Sequence, residues 1–173
     1  MDEQSSSAEA RATVQGLGTY LNDHLAGSVA GSERFARLAD ALSATPVGPE
    51  VARVAREVAQ ERDELREIIE VLGLRPQNHL KQATAWVGEH VARLKASRRS
   101  LRRRRTDALL EVELLRSALV GKLGGWQVLE DLAPDLGLDR ARMAELRART
   151  LEQVATMDEV HAAVRSRVLR AVS

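Results

Sequence analysis

The chain has no cysteine, only four prolines and only four aromatic residues in 173 positions. Without cysteine there is no disulfide, no thiolate nucleophile and no Cys-ligated zinc or iron–sulfur site. The aromatics Tyr20, Phe35, Trp86 and Trp126 are too scattered for an aromatic cage, and the β-branched and aromatic runs that build strands are scarce. No segment approaches the roughly 18 apolar residues that a membrane-spanning helix needs. The opening MDEQSSSAEA has neither a basic n-region nor an apolar h-region, so no secretory leader is expected and the cytoplasm is the expected location. No Gly-rich phosphate loop follows a strand, and no Ser, His and Asp stand in a nucleophile-elbow context. Kinase, dinucleotide and conventional hydrolase chemistry are therefore disfavoured.

What is present is helix-forming. Hydrophobic residues make up 44 %, nearly all of them Ala, Leu and Val, and the length suffices for one domain with a real core. The formal net charge is +1, so the chain as a whole is no polyanion binder. The only lysines are Lys81, Lys95 and Lys122, an Arg-rich usage that points to a GC-rich genome. The expected organisation is a disordered tail over residues 1–8 and a single helical bundle over 9–173.

Periodicity and breakers divide that bundle. A first helix is expected from about Ala8 to Leu42, carrying Val14, Leu17, Leu21, Leu25, Phe35 and Leu42 on one face. Gly27 and Gly31 lie four apart within it, a spacing that suggests close approach of a neighbouring helix backbone. After the breaker Ser43–Pro49, a second helix runs to Leu72 with Val51, Val54, Val58, Leu65, Ile68 and Ile69 as its stripe and Gly73 as its cap. A short third helix is expected from Pro76 to Ala96. The fourth, from Thr106 as cap to about Leu132, carries Leu109, Val112, Leu115, Leu119, Leu123, Trp126 and Leu129, with a local bend at Gly124–Gly125. Asp139 then caps a last helix reaching about Val172, with Met143, Leu146, Thr150, Val154, Met157, His161, Val164 and Val168 on its face. The short third helix can return the chain along the bundle, which would set the second and fourth helices parallel, as in ferritin-like folds. A plain five-helix bundle is the rival topology.

The helix order, the stretch Tyr20-Leu-Asn-Asp-His-Leu25 and the stretch Gly121-Lys-Leu-Gly-Gly-Trp126 together resemble uncharacterised ferritin-like helical proteins of actinobacterial type. The resemblance implies an all-α, ferritin-like antiparallel four-helix bundle with an additional short crossover helix. It does not by itself imply iron.

A di-metal carboxylate centre needs a Glu from each of two helices and a Glu-x-x-His from each of two others. The candidate ligands for iron or manganese are His24, Glu61, Glu113 and His161. The departures are clear: Glu61-x-x-Glu64 stands where an imidazole is expected, Asp158-x-x-His161 has Asp for Glu, and Lys122 would oppose a metal while neutralising buried carboxylates. A polar network of Glu61, Glu113, Lys122 and histidine that holds the bundle in register is the competing reading. His24 and His161, close to apolar stripes, equally suit satisfied core positions, while His79 and His90 look exposed. No catalytic residues are assigned and no cofactor is expected.

The sharpest charge signal is Arg93, Lys95, Arg98, Arg99 and Arg102, Arg103, Arg104 and Arg105, eight cations in thirteen residues without an acid. It can grip phosphates of nucleic acid or an anionic membrane, yet no aromatic is interleaved to stack on bases. A solvated inter-helix loop docking on an acidic protein partner is the plainer reading, and a homodimer is compatible with it. The sequence thus points to a non-catalytic structural or interaction protein, with a degenerate metal-binding bundle as the alternative.

Overall fold

The computed structural model describes residues 2–74 and 101–170, with side chains described over 14–74 and 106–170. The described residues form four α-helices: α1 (Asp2–Leu42), α2 (Gly48–Val71), α3 (Leu101–Leu136) and α4 (Arg140–Arg170). The expected short helix over Pro76–Ala96, with His79, Trp86 and His90, lies outside the described residues, as do Arg98 and Arg99.

Each boundary has a local cause. α1 begins at Asp2, so it includes all but the first residue of the stretch that composition assigns to a tail. It stops at Leu42, and a turn through Pro46 leads into α2, whose first residues are Gly48 and Pro49. Gly48 packs so tightly in this turn that a Cβ would sit 2.6 Å from the Leu42 carbonyl oxygen. α2 closes on Gly73 at φ 67°, where the Leu74 N–H reaches the Ile69 carbonyl at 3.0 Å, the cap read from sequence.

α3 departs from expectation at both ends. It begins at Leu101, so Thr106 lies inside it, and Arg102–Arg105 belong to a helix instead of a loop. Arginine is a good helix former and nothing in that run breaks a helix. At the other end Pro134 is accommodated in the last turn, and Gly137 at φ 66° lets the Leu138 N–H bond the Ala133 carbonyl at 2.9 Å. The helix also runs unbroken through Gly124 and Gly125. α4 starts as foreseen: Asp139 Oδ1 accepts from the Ala141 N–H at 2.9 Å and the Arg142 N–H at 3.3 Å.

Most of the interhelix packing lies within two hairpins, α1/α2 and α3/α4. The hairpins meet along α1–α3 and α2–α4. Arg34 pairs with Glu111 while His24 lies against Gly125, so α1 and α3 run antiparallel. Arg53 reaches Thr156 while Glu64 meets Arg142, so α2 and α4 do too. It follows that α2 and α3 are parallel. α2 ends beside Gly18 and Asn22 of α1, at the opposite end of the bundle from the start of α3.

The core is split in two. One cluster joins Phe35, Leu38 and Leu42 to Val51, Val54, Val58, Val112, Leu115, Leu119, Met157, Val160 and Val164. The other joins Leu21 to Leu65, Ile68, Ile69, Trp126, Leu129, Ala133, Met143 and Leu146. The buried positions step by three and four: 51, 54, 58, 61, 65, 68 on α2, and 143, 146, 150, 153, 157, 160, 164 on α4. On α3 the same step runs 112, 115, 119, 126, 129, 133, with the half-buried Lys122 at the step between 119 and 126, which is a left-handed coiled-coil seam on three helices.

Candidate functional site

Between the two apolar clusters, the seam positions are polar. Glu61 of α2, Lys122 of α3 and Gln153 of α4 fall one on each helix at that level. Glu61 is 1 % exposed and Gln153 fully buried. The Lys122 ammonium donates to Glu61 Oε2 and, at 2.5 Å, to Gln153 Oε1. The Gln153 amide N–H₂ donates to Glu61 Oε1 at 2.9 Å and to Glu57 Oε2 at 3.1 Å, so these partners fix the amide orientation. Arg149 adds a second cation 4.0 Å from Glu61. Burial pulls the Lys122 amine below the usual lysine range, and the charge and hydrogen bond of Glu61 oppose that pull. Both carboxylate oxygens of Glu61 thus have a partner. The layer is internally satisfied.

On α1, the fourth helix, this level carries only small side chains, among them the buried Ser32, which accepts from Arg62 at 3.3 Å. Gly27 and Gly31 have nothing within 4 Å of where a Cβ would stand, and Gly121 of α3 likewise. Among the described residues no helix backbone approaches Gly27 or Gly31 closely, and the glycines leave space. The result is a cavity of about 530 Å³ between α1 and α3, with Leu21, Phe35, Leu119 and Trp126 in its walls and Glu61 and Lys122 on its lining. Gly125 behaves differently, since a Cβ there would lie 3.2 Å from His24 Nδ1.

The four proposed metal ligands are not brought together. Glu113 and His161 do meet, at 3.1 Å on the bundle surface, where Glu113 is 46 % exposed. Glu61 is engaged by Lys122 in the interior. His24 lies half-buried beside Gly125 and edge-on to Tyr20, with ring centroids 4.5 Å apart. Burial lowers its pKa below 6.5, outweighing the nearby Asp23 carboxylate. Asp158 turns to Arg116 and Glu64 to Arg142, at 2.6 Å. Among the described residues no three His, Asp or Glu side chains form a group able to hold a metal ion. The donor set therefore does not fit a di-metal centre: its only buried carboxylate already carries a lysine. The expected network is realised only in part, since Glu113 and histidine stand apart from the Glu61–Lys122 pair.

Gln153 is the member sequence reasoning missed. Reading the α4 stripe through Val154 followed hydrophobicity; the three–four step through Thr150 and Met157 lands on Gln153. Trp126 is 2 % exposed, a core residue as expected, but among the described residues its indole N–H has no hydrogen-bond partner.

No family model, no curated protein and no solved structure matches this chain.

Proposed function

We infer that the chain is a non-catalytic helical-bundle protein acting as a structural or interaction module, built on a ferritin-like helix order in which an ion-paired layer stands where metal ligands would. The observation that carries this reading is the Lys122 ammonium on Glu61 at the bundle centre, with Gln153 closing the network. A carboxylate so engaged already has its charge matched by the lysine, and a metal ion beside it would meet the repulsion of that buried ammonium. The parallel setting of α2 and α3, whose adjoining ends lie at opposite ends of the bundle, supports the ferritin-like order. Interaction is read from charge: the arginine-rich run entering α3 suits an acidic protein partner or a second copy of the chain.

Metal analysis after iron or manganese loading under reducing conditions tests the reading. Less than a tenth of an equivalent is expected, unaltered by His161→Ala. A full equivalent that Glu61→Gln or His161→Ala abolishes would overturn it.

A further inference from the structure

The seam between α3 and α4 outruns the apolar core. At the end where α3 begins, its last buried positions are Val112 on α3 and Val164 on α4. Continued at the same step, it reaches Arg105 on α3, past the half-buried Leu109, and the exposed Arg167 on α4. The contacts Glu113–His161, Arg116–Asp158 and Lys122–Gln153 fix the register of this hairpin and carry positions 105 and 167 to about the same level. In the bundle centre the seam cation Lys122 is matched by Glu61. Here arginine stands opposite arginine.

Around that pair the fold gathers two stretches that are far apart in the chain. Arg102–Arg105 lie in the opening turns of α3, and Arg165, Arg167 and Arg170 are exposed on the closing turns of α4. From Val160 onward the sequence holds these three arginines and no acid. Among the described residues none of the three is in an ion pair, whereas the acids nearby are engaged: Glu111 by Arg34, Glu113 by His161 and Asp158 by Arg116. Asp107 and Glu159 are the acids left unpaired at this end of the hairpin. The formal net charge of +1 conceals the imbalance, because balancing carboxylates, among them Glu67, Glu70, Asp131 and Asp135, are exposed at the opposite end of the bundle. Like charges gathered in this way repel one another, and a bound polyanion relieves the repulsion.

The surroundings select the anion. A protein interface buries an apolar centre depleted of charge, and a helix lying on a membrane inserts an apolar face. Of the large hydrophobics exposed among the described residues, only Leu110 and Leu169 stand at this end. A nucleic-acid backbone asks for charge alone. Every cation gathered here is arginine, whose planar fork binds a phosphate at two points. Neither stretch contains an aromatic residue to stack on an unpaired base, which favours a duplex held through its phosphates over a single strand.

We propose that this end of the α3/α4 hairpin, formed by Arg102–Arg105, Arg165, Arg167 and Arg170, binds the phosphate backbone of duplex nucleic acid without sequence preference. The proposal goes beyond the reading of the polar layer and does not depend on it, since metal bound at Glu61 would leave it standing.

Fluorescence anisotropy of a short fluorescein-labelled DNA duplex, titrated with the full-length protein, tests it. Duplexes of unrelated sequence should bind within twofold of one another. Affinity should fall at least a hundredfold between about 50 and about 200 mM salt, as contact with about four or more phosphates implies. Arg165→Gln, Arg167→Gln and Arg170→Gln together should weaken binding at least tenfold and make the salt dependence shallower, with helix content and thermal midpoint retained because all three side chains are exposed. Lysine at the same three positions should keep the salt dependence, and Arg140→Gln, at the opposite end, should change nothing. Absence of binding at about 50 mM salt would overturn the proposal, as would unchanged affinity in the triple glutamine variant. Polyglutamate competing as strongly as unlabelled duplex would assign the patch to an acidic protein, and anionic phospholipid vesicles doing so would assign it to a membrane; either result sinks the nucleic-acid assignment. So would self-association at low salt that the triple variant abolishes, with no duplex bound.

Discussion

At the residue scale the glycines separate into those that leave room and those that fill a close contact. Gly31 has nothing near its absent Cβ, whereas a Cβ on Gly48 would stand 2.6 Å from one backbone carbonyl oxygen and 2.8 Å from another. Gly31→Ala is therefore expected to stabilise the bundle by about 0.5–1 kcal/mol through helix propensity alone. Gly48→Ala is expected to destabilise it by about 1–3 kcal/mol as the turn is forced open. Chemical denaturation of the two variants side by side checks both signs. His24 gives a pH dependence of defined direction. Its imidazolium is disfavoured by burial in the folded state, while the unfolded side chain takes up a proton near 6.5. Its contribution to stability is thus present above about pH 6.5 and is lost as the pH falls through the folded-state value. His24→Gln should flatten that part of the stability profile between pH 7 and 5; an unchanged slope would show that His24 is not its source.

At the scale of the helix, the seam explains both the core and its interruption. A polar residue at one seam position costs stability and fixes which residues face one another. Removing only the cation leaves Glu61 buried without its lysine, so Lys122→Met should cost about 3–5 kcal/mol. Replacing Glu61, Lys122 and Gln153 together by Met, Leu and Leu should recover most of that loss, because satisfied apolar contacts replace a satisfied polar set. Thermal and urea unfolding of the single and triple variants measure it. If the triple variant is as unstable as the single, the pairing does not account for the loss. Much of this was legible in the sequence. The stripes of α2 and α3 and the caps at Gly73 and Asp139 follow from spacing and turn chemistry. Glu61 stood out because it interrupts the apolar stripe of its helix, and Lys122 because it is a lone cation three residues before Trp126, although the stripe there was read through Leu123. Gln153 escaped notice because its neighbour Val154 is apolar, and the step of the seam outranks local hydrophobicity. The position of Pro134 inside α3 was not legible either, since proline lacks the N–H that would bond the carbonyl four residues back and is expected to end a helix before it.

At the scale of the whole molecule, sequence separates helices well and their partners poorly. Gly27 and Gly31 suggested a tight crossing; whether small residues mark contact or vacancy depends on what the opposite helix offers, and α3 offers Gly121 there. His161 likewise shares a stripe with Met157, yet rotation of the seam carries it outward to Glu113. Among the described residues no helix is long and apolar enough to cross a membrane.

The divided core has a consequence for the order of assembly. Each hairpin is closed by a short turn, so its contacts are local and form early. The hairpins must then find one another, and with apolar side chains above and below, a pairing displaced by one heptad, about 10 Å along the axis, would still bury much of the same surface. Such a displaced encounter would set Glu61 among aliphatic side chains and leave the lysine amine without its carboxylate. The cost makes the misaligned pair short-lived and returns it to search again. The buried charged stratum thus proofreads the docking of two oily surfaces, with the Arg34–Glu111 and Glu64–Arg142 pairs to either side of it.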